Sequence, residues 1–264
     1  MDLLDRGSGS PLVLIPGIQG RWQYHRPAID ALARHFRVIT FPLSGERGSG
    51  RAFDRARGLD NYTDQISSVL DALHLDTASI CGLSFGGVAA LRFAAVHAER
   101  CRALVLVSTP RPGLQLRRRH QIYVSLPWLF GPLFIAETPF RLRQEIRSAL
   151  PDSTARRALR WRVVRTFLTA PPSISQMAAR ARMLADTDIR PDCARITAPT
   201  LLITGERGLD HVVPVDGTSE YSRLIRGARS VVLERTGHIG SNTRPQEFAE
   251  LVRRFVLDEC HAAA

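Results

Sequence analysis

Short runs of apolar residues recur along the chain, each bounded by glycine, proline or polar turn residues: Leu12-Val13-Leu14-Ile15, then residues 36–41, 78–81, 103–107, 200–204 and 230–233. Runs of this length without polar alternation predict strands of a parallel sheet covered on both faces, because a half-exposed sheet shows a period of two. Between them, over residues 26–34, 60–73, 86–96, 216–225 and 245–256, apolar positions fall three and four apart. That spacing gathers them on one face of a helix. Strands alternating with helices predict an α/β fold with a mostly parallel, doubly wound sheet.

The alternation stops between Pro110 and Pro191. Helical spacing continues there over residues 114–126, 139–149, 153–168 and 173–186, interrupted by proline-bearing turns and without a strand-like run. The expected organisation is therefore a core domain of residues 1–110 and 191–264, carrying an inserted all-helical lid of residues 111–190. Charge sharpens this division. The chain has a net charge of +11, and all 36 of its basic residues are arginine. Residues 111–190 hold 15 of those arginines against 5 acidic residues, whereas the rest of the chain holds 21 against 20.

Runs such as Arg117-Arg118-Arg119 and Arg156-Arg157 read either as solvated helix faces or as an electropositive rim. Such a rim would draw an anionic substrate, an acidic carrier protein or a membrane surface of anionic headgroups. No groove-reading motif accompanies the charge, so nucleic acid is not expected. Within the same segment residues 124–134 are unusually apolar; they either pack on the sheet or line an acyl pocket, which makes Trp128 and Phe130 candidate substrate-binding residues.

Composition removes other classes. With 264 residues, 44% apolar and 23% charged, the chain suits a folded protein and not a disordered or fibrous one. No apolar run nears the roughly 20 residues a membrane-spanning helix needs. The first six residues lack the basic start and long apolar stretch of a secretory signal, which points to a cytoplasmic protein. Cys81, Cys101, Cys193 and Cys260 show no C-x-x-C spacing, so neither a metal site nor a disulfide framework is expected.

One strand-like run leads directly into Gly82-Leu83-Ser84-Phe85-Gly86-Gly87 and then an alanine-rich helical stretch. A G-x-S-x-G pattern between strand and helix projects its serine at the strand's carboxyl end, which makes Ser84 the candidate nucleophile. A free hydroxyl is a weak nucleophile and needs a base from elsewhere in the chain. His238 follows the last strand-like run and is the preferred base, with His25 and His211 as rivals, since carboxyl ends of strands in an open α/β sheet converge on one crevice. Asp210, after the run 200–204, is the preferred carboxylate to orient the imidazole, with Glu206 and Asp216 as alternatives. Two backbone amides must hold the oxyanion. Phe85 offers one and Ile18, in the turn Pro16-Gly17-Ile18-Gln19-Gly20, offers the other, while Gln19 adds a side-chain donor.

Taken together these segments resemble the α/β-hydrolase superfamily along almost the whole chain. Gly82 to Gly87 looks like its nucleophile elbow. Asp210-His211-Val212-Val213-Pro214 is similar to the D-x-x-V-P form of its acid loop, and Thr236-Gly237-His238 to its histidine loop. The order Ser, Asp, His is also the family's. Three departures stand out. Pro16 replaces the histidine often found before the oxyanion glycine, residues 42–48 replace a D-x-x-G-x-G stretch, and the acid loop carries about two extra residues at Gly208-Leu209.

The resemblance implies a serine hydrolase acting on a small carboxylic ester or thioester through an acyl-enzyme, with no metal or organic cofactor. Related serine members cleave carbon–carbon bonds, transfer acyl groups or make peracids, and the triad does not separate these. A ligand-binding protein that keeps the fold without turnover is the reading from a different class.

Overall fold

The computed structural model describes residues 1–262, with side chains as far as Asp258. Among the described residues seven strands form a single sheet: β1 (Leu4–Arg6), β2 (Pro11–Ile15), β3 (Arg37–Thr40), β4 (Ala78–Leu83), β5 (Cys101–Val107), β6 (Thr200–Thr204) and β7 (Arg229–Val232). Their order across the sheet is β1-β3-β2-β4-β5-β6-β7, and every pairing is parallel except that of β1 with β3. This is the mostly parallel α/β sheet that the apolar runs predict.

Both faces of β2 to β6 are covered, which is why their runs do not alternate, whereas β7, expected to be covered like them, is largely exposed because it ends the sheet. Val13 and Ile15 of β2 enter one core layer, while Leu12 and Leu14 enter the other. The first layer is closed by α2 (Asp60–Ala72) and α3 (Phe85–Val96), through residues such as Leu70 and Phe93. The second is closed by α1 (Arg26–Leu32) and the C-terminal helix Pro245–Ala262, through Ile29, Leu32, Phe248 and Val252. Fully burying a side chain of this size is worth about 1.5–3 kcal/mol, so the two layers dominate the stability of the fold.

Between β5 and β6 the chain is helical: α4 (Arg118–Ser125), α5 (Pro127–Arg141), α6 (Arg143–Ala149), α7 (Ser153–Thr169), α8 (Ile174–Asp186) and α9 (Arg190–Cys193). The sequence pattern missed α5 and began a helix at Pro139 instead. Pro127 sits in the first turn of α5, where its missing N–H costs nothing, but Pro132 and Pro139 lie inside the helix. Near Pro139 the Phe134 carbonyl accepts from the Thr138 hydroxyl (3.1 Å) and the Arg141 guanidinium (3.2 Å).

Two further differences are local. β1 has only three residues and sits on a half-exposed edge, too short to register as an apolar run. The helix expected over 216–225 is two pieces, α10 (Val215–Ser219) and α11 (Tyr221–Leu224), before α12 (Gly240–Thr243) and α13, the C-terminal helix named above. Cys81, Cys101 and Cys193 are buried thiols, and the side chain of Cys260 lies outside the described residues. Among the described residues no helix is long and apolar enough to cross a membrane.

Candidate functional site

Ser84 occupies the turn between β4 and α3 with φ 53° and ψ −120°, a conformation non-glycine residues rarely adopt and one that costs about 1–3 kcal/mol. Neighbouring glycines make the turn possible. A Cβ on Gly82 would stand 2.3 Å from the Gly86 carbonyl oxygen, and one on Gly86 would stand 2.3 Å from that of Ile15. The Ser84 amide is anchored on the Val107 carbonyl at 2.8 Å, and the residue stands immediately before the first turn of α3. The positive end of that helix favours negative charge beside Ser84.

The loops after β6 and β7 bring Asp210 and His238 together, with His238 Nδ1 3.3 Å from Asp210 Oδ2. A carboxylate only accepts, so the hydrogen on this contact belongs to Nδ1 and the lone pair of Nε2 stays available. Asp210 is itself fixed, since its Oδ1 accepts from the amides of Val212 (2.9 Å) and Val213 (2.8 Å). Burial lowers the proton affinity of His238, but the charge and hydrogen bond of Asp210, with Glu145 adding, outweigh it and hold the pKa above the ordinary 6.5. Ser84 and His238 line the same cavity, although no hydrogen bond joins them among the described residues. Such contacts often tighten only when substrate is bound.

The alternatives are placed elsewhere. Glu206 accepts from the Arg235 amide at 2.6 Å, and Asp216 forms an exposed pair with Arg207 at 2.5 Å. His211 is exposed and meets Gln144 at 3.2 Å. His25 does reach the cavity, but the Gly17 N–H donates to its Nε2 at 3.2 Å. Burial, with His238 adding, pushes His25 down to about 4, so its ring is neutral and poorly suited to take a proton. The imidazole missing from the position before Gly17 thus arrives from another part of the chain.

Ile18, Gln19 and Phe85 all line the cavity beside Ser84. The loop holding Ile18 is pinned from below by Arg180 of α8, a residue the sequence pattern did not single out. Its Nη1 donates to the Ile18 carbonyl (3.0 Å) and to Glu46 Oε1 (2.8 Å), its Nη2 to the Ser44 carbonyl (3.2 Å), and its Nε to the Tyr62 hydroxyl (3.2 Å). The Arg180–Glu46 pair is completely buried. Glu46 belongs to the stretch that departs from D-x-x-G-x-G, so this departure carries an anchor for α8.

The cavity encloses about 250 Å³ and is predominantly apolar. Trp128 and Phe130, the expected substrate-binding residues, do not line it: Trp128 is 74% exposed, and Phe130 stacks on Tyr123 with ring centroids 6.1 Å apart. Helical geometry explains the correction. The face of α5 turned inward carries Pro127, Gly131, Phe134, Ile135 and Thr138, and at about 100° per residue positions 128 and 130 fall on its two flanks, one on each side. The cavity's helical wall also presents Arg141, whose guanidinium lies 4.5 Å over the Phe134 ring and whose Nε is buried without a partner among the described residues. Beside it His120 is pushed below its ordinary range by burial and by Arg141, Arg119 and Arg117. The described residues contain no cluster of His, Cys, Asp or Glu able to hold a metal ion.

Comparison with known proteins adds an independent line. Residues 10–245 match the family described as the alpha/beta hydrolase fold. The chain is 27% identical to the 2-hydroxy-6-oxo-2,4-heptadienoate hydrolase of Pseudomonas putida, over 98% of this chain and 93% of the relative. It is 24% identical to the pimeloyl-[acyl-carrier protein] methyl ester esterase of Aeromonas hydrophila, over 95% of this chain and 96% of the relative. Among solved structures, the enol-lactonase from Burkholderia xenovorans superposes with a TM-score of 0.78 at 23% identity, covering 97% of this chain and 95% of that one.

Proposed function

Because the chain belongs to the alpha/beta hydrolase family and is an enzyme of that fold, we propose that it hydrolyses a small carboxylic ester or thioester through an acyl-enzyme on Ser84. The observation that carries this reading is the convergence of a strained Ser84 and of His238, itself held by Asp210, on the wall of one apolar cavity. His238 Nε2 takes the Ser84 proton as Oγ attacks the carbonyl, and Asp210 orients the ring and stabilises the imidazolium. The amides of Ile18 and Phe85 hold the oxyanion, and Gln19 flanks it. Water, activated by His238, then clears the acyl group. Residues 111–190 act as the lid that shapes the acyl pocket.

Arg141 extends the reading to substrate charge. A cavity-lining guanidinium with a buried, unpartnered Nε favours an acyl group carrying a carboxylate away from the scissile carbonyl. A panel of esters and thioesters matched in size, neutral and anionic, tests this. The expected result is preference for the anionic member, with Arg141→Ala lowering kcat/KM on it about tenfold, a loss of about 1.4 kcal/mol, and leaving the neutral ester within about twofold. A near-background response to every ester and thioester would overturn the reading. It would favour carbon–carbon hydrolysis, the chemistry implied for the Pseudomonas putida relative because its named substrate contains no ester or amide bond.

A further inference from the structure

The short helix α6 touches both loops that bring Asp210 and His238 together. Gln144 meets His211, the neighbour of Asp210, at 3.2 Å. Glu145, the next residue, accepts the Ile239 N–H through Oε1 at 2.6 Å, and Ile239 is the neighbour of His238. Glu145 is fully buried, and its Oε2 has no partner among the described residues. The charged groups facing it are His238 and Asp210, while Arg143 and Arg147 on α6 itself are exposed. Taking a carboxylate out of water without a cation beside it is costly, and packing alone gives no reason to place one here. Burial pushes Glu145 up to about 7, with His238 and the Ile239 and Gly237 amides opposing and Asp210 adding.

We propose that Glu145 is a positioning residue for His238, fastening the histidine loop to α6 and supplying a second negative charge that supports the imidazolium formed when Ser84 gives up its proton. The proposal rests on the reading of Ser84 and His238 given above. Two consequences are separable. The hydrogen bond to Ile239 fixes where the imidazole stands, so the base is in register only while α6 is seated on the loop. Once ionised, at about pH 7 and above, Glu145 raises the basicity of His238, so removing its charge moves the acid limb of the activity profile to lower pH.

The test compares Glu145→Gln and Glu145→Ala with the wild type, reading the second-order rate of Ser84 labelling by a small fluorophosphonate from pH 5 to 9, kcat and KM on one ester, and thermal unfolding. Glutamine keeps an acceptor for Ile239 but carries no charge. The expected result is that Glu145→Ala labels at least tenfold more slowly while still folded, with the loss in kcat and little change in KM. Glu145→Gln should regain most of the rate with its acid limb at lower pH, and should unfold at a higher temperature than the wild type above pH 7, where the wild type pays for a buried charge.

Labelling of Glu145→Ala within twofold of wild type across the pH range would overturn the proposal. So would an equal loss in both variants with an unmoved acid limb, which marks a packing role alone. Absence of labelling in the wild type would instead overturn the reading of Ser84 itself.

Discussion

The sheet and the helices between β5 and β6 obey opposite rules of burial. All six residues of β4 are buried, and the strand delivers Ser84 at a point fixed by backbone contacts that only glycine permits. By contrast, α7 buries only Leu159 among its 17 residues, leaving Trp161 67% and Leu168 73% exposed alongside five arginines. The difference teaches where constraint lies. Packing on both faces dictates the sheet, whereas the helical segment enters the core through Met183 and Leu184 of α8 and is otherwise tied down by polar anchors: Arg180 on the Ile18 loop, and Glu145 and Gln144 on the loops after β7 and β6. A sheet-borne site roofed by loosely held helices can keep its chemistry while its cavity wall changes.

Substitutions that separate the two regions sharpen this contrast. The largest effect is expected at the sheet-borne pair, where Asp210→Asn should lower kcat by about 10³–10⁴, because the amide presents the wrong partner to His238 Nδ1. Steady-state kinetics on the best ester of the panel checks it. Arg180→Ala, at an anchor, leaves Glu46 buried without its cation and should cost about 3–5 kcal/mol of stability in urea unfolding. Trp161→Ser with Leu168→Ser on α7 should stay within about 0.5 kcal/mol per site. A loss of several kcal/mol from the α7 pair would break the comparison, since it would mean that this helix is held by packing after all.

How far the sequence reveals the molecule follows the same divide. β2, β4, β5 and β6 read as apolar runs because both their faces are buried, and the elbow reads because two glycines are obligatory around Ser84. Asp210 and His238 could be singled out because each follows a strand at the end where strands converge, and the structure does place them 3.3 Å apart. The helical segment is harder. Pro127 and Pro132 read as part of a turn and Pro139 as the start of a helix, yet all three lie in α5, and Trp128 reads as a pocket residue although its position faces solvent. Glu145 stands in Arg143-Gln144-Glu145-Ile146-Arg147, a sequence that looks like any exposed helix surface. Its burial depends on contacts with a loop almost 100 residues away, which local periodicity does not encode. Arg180 was hidden for the same reason, since its partner Glu46 lies 134 positions earlier.

The central claim is that Ser84 is an activated nucleophile, and mass spectrometry of the protein after brief treatment with a fluorophosphonate tests it most directly. The expected result is a single adduct on the peptide containing Ser84, absent from folded Ser84→Ala. A folded wild-type protein that takes up no label, or one whose label persists in Ser84→Ala, would contradict it.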